Sequence, residues 1–296
     1  MLAFVTSLRH PRNSTDYGRV EQLLLETLHS VTQQTSDDFV VIVVGNREPS
    51  FPLPDRVHFV RVGFRAPAPK SIRVSRSPFI RDKGAKIGIG LVAARQFSPD
   101  YVMIFDADDF VHRGLAEFAA ANPGQNGWVF KDGWMYSRAR SAYRPQPQFN
   151  RTCGTSFMVP YDAYGVPDEL EVTATKSEVR EAYGERLSKI IGAHKWAEEW
   201  FADHGRPLQP LPFQGAVYHV DTGENHSSNA LEGWAKPLGS RMVAEFGISP
   251  TRGRLGILWA CYCSEPAARV DAALGPVSKI LKRVYRGVRR RVRRTS

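Results

Sequence analysis

Cysteine is scarce. Its three residues, Cys153, Cys261 and Cys263, are an odd count with neither the spacing of a zinc site nor that of a disulfide framework. A reducing compartment fits that usage. Long apolar runs are missing too: the longest, Phe39 to Val44 and Leu255 to Cys263, fall well short of the roughly 20 residues needed to cross a bilayer, so no spanning segment is expected. The opening stretch, Met1 to His10, lacks the basic, apolar and small-residue regions of a secretion signal, which makes the cytoplasm the expected location. No internal repeat is present. Acids are absent from Pro276 to Ser296, where nine basic residues stand: Lys279, Lys282, Arg283, Arg286, Arg289, Arg290, Arg291, Arg293 and Arg294. The chain carries a net charge of +10, and removing these nine leaves about +1, so its basicity belongs to the tail.

What is present is the make-up of a globular protein. The 296 residues are 42 % hydrophobic and 24 % charged, enough to bury one sizeable core. Leu2 to Leu8 is a short apolar run that empties into Arg9-His10-Pro11-Arg12, and reads as a buried strand followed by a loop. Gly18 to Gln34 places Val20, Leu23, Leu24, Thr27, Leu28 and Val31 at helical spacing, and Phe39 to Val44 is a β-branched run closed by Gly45-Asn46. Strand, helix, strand implies a right-handed parallel crossover. Val57 to Val62 gives a third strand, Gly63 to Pro78 a loop, Asp82 to Phe97 a helix, and Tyr101 to Phe105 a strand that runs straight into acids. Further strands are expected at Gly127 to Lys131, Thr155 to Pro160 and Ala216 to Val220, with helices at Ser177 to Ile191 and His194 to His204.

The acids are Asp106, Asp108 and Asp109, in Phe105-Asp106-Ala107-Asp108-Asp109. A reaction that releases a diphosphate must neutralise its charge, and a divalent ion held by two carboxylates does so. In an extended segment alternate residues point the same way, so Asp106 and Asp108 would share one ion while Asp109 turns toward the protein or an acceptor. The competing structural reading makes Asp109 the amino cap of a helix from Phe110 to Ala121. Position favours the ion site, because ligands bind at the carboxyl ends of strands in open α/β sheets.

On these residues the chain resembles the GT-A class of glycosyltransferases, family-2-like enzymes in particular, over about Leu2 to Ser228. The resemblance implies an α/β, Rossmann-like nucleotide-binding mixed sheet flanked by helices, with a catalytic region over residues 1–230, an extension over 231–275 and the basic tail from 276. It implies a nucleoside-diphosphate sugar as donor and Mn²⁺ or Mg²⁺ on Asp106 and Asp108. Thr6, Arg9 and Asn46 then belong to the nucleotide-binding half, although these enzymes often carry an acid where Gly45-Asn46 stands here. Arg81, Lys83 and Lys86 would face the diphosphate, Lys83 foremost, against the alternative of a solvated basic helix face. Gly88 and Gly90 are better explained by close helix packing than by a phosphate loop. Arg151 to Ser156 would form the acceptor-side loop, with Cys153 a buried structural thiol.

The family's general base lies early in a helix that ends in glycine, and the matching position holds His194. Glu198, one turn on, would orient the ring or act as the base itself, while Glu199 faces solvent. The alternative for His194 is a capping or packing residue. His219 and, second to it, His226 match the late histidine offered to the metal or diphosphate. The implied reaction is transfer of a sugar, with inversion, to a glycan or lipid-linked acceptor in cell-surface polysaccharide synthesis. Two alternatives stand beside it: a sugar nucleotidyltransferase, which would need a glycine-rich loop that is missing after Leu8, and a non-catalytic sugar-nucleotide or polysaccharide binder.

In the tail Val277, Ile280, Leu281, Val284 and Val288 recur at helical spacing among the nine cations, the pattern of a basic amphipathic helix. It predicts attraction to an anionic membrane surface, placing the protein on the inner face of the cytoplasmic membrane. A plain solvated tail is the next reading, and nucleic acid a weaker one still, since no aromatic base-stacking motif accompanies the charge.

Overall fold

Four β-branched or aromatic runs, each bounded by polar turns, form the parallel heart of the protein. The computed structural model describes residues 1–67, 77–224 and 229–263. Strands β1 (Leu2–Ser7), β2 (Phe39–Gly45), β3 (Val57–Arg61) and β4 (Tyr101–Ile104) lie side by side in the order β3-β2-β1-β4, all parallel. Every residue of β2 and β4 is buried, as expected of strands covered on both faces. Helix α1 (Tyr17–Val31), capped by the Asp16 side chain, covers one face, and α2 (Ser77–Ala94) covers the other.

The α2 helix approaches closely because it carries glycine on its inner side. A Cβ on Gly90 would come within 2.5 Å of Val5 Cγ1, and one on Gly88 within 2.9 Å of the Tyr183 ring, so packing accounts for both glycines.

Beyond β4 the sheet turns mixed. After the two-residue β5 (Phe110–Val111) come α3 (Leu115–Ala121), β6 (Trp128–Val129), β7 (Asp132–Ser137), β8 (Ala142–Pro147), the short α4 (Phe149–Thr152) and β9 (Phe157–Pro160). Strand β9 runs antiparallel to both β4 and β6, and β10 (Gln209–Pro210) closes that edge. The intervening chain forms α5 (Lys176–Tyr183), a π-helical turn at Leu187–Ile191 and α6 (Ala197–Asp203).

A second, five-stranded sheet has the order β12-β8-β7-β11-β5, with β11 at Ala216–Val220 and β12 at Lys236–Pro237. Helices α7 (Ser240–Phe246) and α8 (Arg254–Cys263) follow, and Leu238, Met242, Phe246, Ile248 and Ile257 share a core with Trp134, Tyr136, Tyr143 and Val217. Among the described residues no helix is long and apolar enough to cross a membrane.

Two sequence expectations change here. The hairpin of β7 and β8 was unforeseen, because Trp134, Met135 and Tyr136 alternate with nothing polar and Arg144, Pro145 and Pro147 break the second strand's pattern. The helix expected from Phe110 begins only at Leu115, behind Gly114, since Phe110–Val111 pairs antiparallel with β11. The basic tail from Pro276 lies outside the described residues.

Strand order fixes where a ligand can bind. The chain moves outward from β1 to β3 on one side, then returns to place β4 on the other, so the crevice between β1 and β4 is the topological switch point. At its carboxyl edge stand Thr6 to Arg9 and Phe105 to Asp109.

Candidate active site

The Phe105 amide still donates to Val5 O at 3.1 Å, and the chain then leaves the sheet in a tight turn closed by Asp109 N donating to Asp106 O at 3.1 Å. The acidic segment is therefore a turn. This corrects the extended geometry expected from alternation: closure at i to i+3 gathers Asp106 and Asp109, whose carboxylates lie within 4.8 Å of each other and of Cys153 Sγ. Asp109 is wholly buried and caps no helix. It accepts from Thr155 Oγ1 at 2.5 Å, Cys153 Sγ at 3.0 Å and the His219 amide at 3.1 Å. Burial, then the charges of Asp108 and Asp106, push its carboxyl well above the usual range. Thr155 is the hinge of this arrangement, since its hydroxyl also accepts from the Asp106 amide at 2.9 Å.

Asp108 is half-exposed, and its carboxyl is pushed up to about 7, by the surrounding protein first and by the Asp106 charge second. A carboxyl raised by a neighbouring carboxylate marks a site short of positive charge, which a hard divalent ion supplies. The Cys153 thiol fits such an ion poorly: it is buried, its pKa is raised well above normal by burial and the neighbouring Asp109, and its proton serves Asp109. Among the described residues the side chains gathered closely enough to share an ion are Asp106, Asp109 and Cys153, and of these the two carboxylates suit a hard divalent cation.

The cations divide. Lys83 forms an ion pair with Asp106 Oδ1. Burial is the largest single influence and lowers its pKa, but the charge and hydrogen bond of Asp106, helped by Cys153 and Asp109, raise it overall and favour the ammonium form. Arg81 sits two residues away, about 200° around the helix. It is exposed and lines an outer groove with Ser177, Arg180 and Glu181, so it does not join Lys83. Lys86 is buried and structural, donating to Leu8 O at 2.9 Å and pairing with Asp82 at 2.9 Å. Arg9 binds Glu224, which also accepts from the Thr15 and Asp16 amides at 3.2 Å, and its charge reaches Asp108. Glu224 gave no sequence signal beyond a polar loop, yet it ties the chain after β11 to the crevice.

Gly154 marks the centre. A Cβ there would lie 3.2 Å from Asp106 Oδ2, 3.3 Å from His194 Nδ1 and 3.4 Å from Lys83 Nζ, so residues from three distant segments converge on Gly154. A cavity of about 20 Å³, room for one water, adjoins it. Gly154→Val should displace these groups and lower the turnover proposed below about tenfold or more, with little change in melting temperature; unchanged turnover would rule out that centre.

His194 reaches this point from a turn, because α6 begins only at Ala197. The shared helical face expected for His194 and Glu198 does not exist: the Glu198 carboxylate is held by Lys131 at 2.5 Å and by Asn150 at 2.9 Å. Burial and then Lys83 lower the His194 pKa to about 4, so the ring is neutral near pH 7. Glu199 pairs with Arg151.

Other expected residues take structural places. His219 is packed between the rings of Phe110 and Tyr136, with centroids 5.4 and 5.2 Å away, and bonds the Asp108 backbone; it is not among the groups gathered with Asp106 and Asp109. His226 lies outside the described residues. The Asn46 amide donates to Val62 O at 3.0 Å and Phe64 O at 2.8 Å, bracing the chain after β3, while its Oδ1 is buried without a partner among the described residues. Thr6 is wholly buried in β1.

No family model and no curated protein matches the sequence. Solved structures similar to it include Staphylococcus aureus TarS residues 1–349 in complex with UDP, at 12 % identity and TM-score 0.42, covering 74 % of this chain and 61 % of that one. The same fragment with UDP-GlcNAc aligns at 13 % identity and TM-score 0.42, covering 78 % and 61 %. TarS itself aligns at 11 % identity and TM-score 0.40, covering 74 % and 36 %, so this chain spans less than two thirds of those proteins.

Proposed function

We propose that this chain is a metal-dependent glycosyltransferase that moves a sugar from a nucleoside-diphosphate donor to a glycan or lipid-linked acceptor, with inversion. The observation that carries the reading is the convergence of Asp106, Lys83 and His194 around Gly154, at the switch point of the parallel strands. The acceptor oxygen attacks the anomeric carbon as the bond to the diphosphate breaks. Lys83 and Arg9 then meet the charge left on the departing group. A divalent ion on Asp106 and Asp108 would supply Lewis-acid stabilisation of that same charge.

The neutral His194 ring can take the hydroxyl proton, with Glu198 as the second candidate. Among the alternatives, a nucleotidyltransferase finds no support: after β1 the chain forms a short 3₁₀ turn at Pro11–Asn13, with no glycine cradle for a triphosphate. Incubation with UDP-, GDP-, dTDP- and CMP-sugars plus Mn²⁺ or Mg²⁺ should release nucleotide from one of them. Tight binding without release would point to a non-catalytic binder, and neither binding nor release would sink both readings.

A further inference from the structure

Helix α8 is apolar on two opposite faces. Ile257, Ala260 and Cys261 point inward and are buried, and the helix is fixed there by Arg140, which donates to Cys261 O at 2.9 Å and to Leu231 O at 2.7 Å. The other side carries Leu255, Leu258 and Trp259, which fall within roughly 100° of arc at 100° per residue. They are 84 %, 45 % and 67 % exposed. Trp234, 53 % exposed, follows Gly233, whose carbonyl Arg140 also holds. A helix that is apolar all round is ordinarily buried, so a second apolar medium is called for.

We infer that the outer face of α8 inserts into the headgroup region of an anionic lipid surface. Charge decides between occupants. Arg252 and Arg254 stand exposed at the start of the helix, and the 33 residues after Cys263 include nine cations without an acid between Pro276 and Ser296. Anionic lipid attracts that array, whereas a second copy of the chain would bring the same charge against it. The three side chains offer on the order of 400 Å², about half of the ~800 Å² per partner of a stable protein interface, but enough for shallow insertion. A tryptophan beside leucines suits the boundary between water and acyl chains. The face is carried by the folded body, and so adds a fixed orientation to the attraction expected of the tail.

The inference does not depend on the proposed transfer reaction, because its test needs no turnover. The full-length protein is floated with vesicles of phosphatidylcholine containing 30 % phosphatidylglycerol, in 150 mM salt. Leu255→Ser/Leu258→Ser/Trp259→Ser should lower the partition coefficient about tenfold, with an unchanged circular dichroism melt. Bromine-labelled acyl chains should quench wild-type tryptophan emission more than that of Trp259→Phe. Equal binding by the triple variant would assign attachment to the tail alone and overturn the inference. So would absence of wild-type binding, or a dimer that forms through this face in light scattering.

Discussion

Asp106→Asn should lower kcat/KM for nucleotide-sugar turnover by about 10³-fold, on the order of 4 kcal/mol of transition-state stabilisation, while the protein stays folded. The size follows from position. Asp106 is a third exposed, pairs with Lys83 and raises the Asp108 carboxyl, so it acts on both the proposed ion and the cation beside it. Asparagine keeps the shape and a hydrogen bond to Lys83 but loses the charge that holds a divalent ion. Because the side chain is partly solvated, unfolding should change by less than about 1 kcal/mol. Asp109→Asn should show the reverse balance, since that carboxylate is buried under three donors and braces the turn. Steady-state nucleotide release at saturating Mn²⁺ or Mg²⁺, with a urea titration of each variant, checks both. An Asp106→Asn rate within tenfold of wild type would remove the carboxylate from the mechanism.

The strands and α1 were legible because burial on two faces writes itself as unbroken apolar runs, and the acids were legible because they follow such a run directly. What escaped was closure at a distance. Nothing local reveals that Lys83 points to Asp106 while Arg81 points away, although both open the same helix; the close packing of Gly84 and Gly88 on the chain from Val179 to Gly192 sets that rotation. The turn at Asp106 to Asp109 has no local signature, because the strand's apolar pattern runs up to Phe105, its last hydrogen-bonded residue, and the acids after it fit an extended chain or a turn equally. A histidine near the end of a strand has the same sequence signature as a ligand and as a core ring, so sequence does not separate the two roles for His219. Its neighbours Phe110 and Tyr136, which make it a core ring, come from the second sheet, whose hairpin was itself unseen.

That placement makes the last expectation one of stability. Burial first, then the positive charges of Arg138 and Arg19, lower the His219 pKa to about 3, against 6.5 for the ordinary ring. Below pH 6.5 the unfolded chain takes up a proton that the folded chain refuses, so stability contributed by the neutral ring is complete above 6.5. It is lost progressively as pH falls toward 3. At pH 4.5 the loss is about 3 kcal/mol. His194 titrates in the same sense, while Asp108 and Asp109, whose carboxyls are raised, hold protons in the fold and oppose it. The wild-type profile alone is therefore a small difference of larger contributions, and a variant isolates the ring. His219→Phe keeps an aromatic between Phe110 and Tyr136 and cannot protonate. Its stability relative to wild type should improve by about 3 kcal/mol between pH 7.5 and pH 4.5, read from urea unfolding at each pH. A gap that stays constant would mean that the folded ring carries its proton, and His219 would return to the surface chemistry from which its burial removes it.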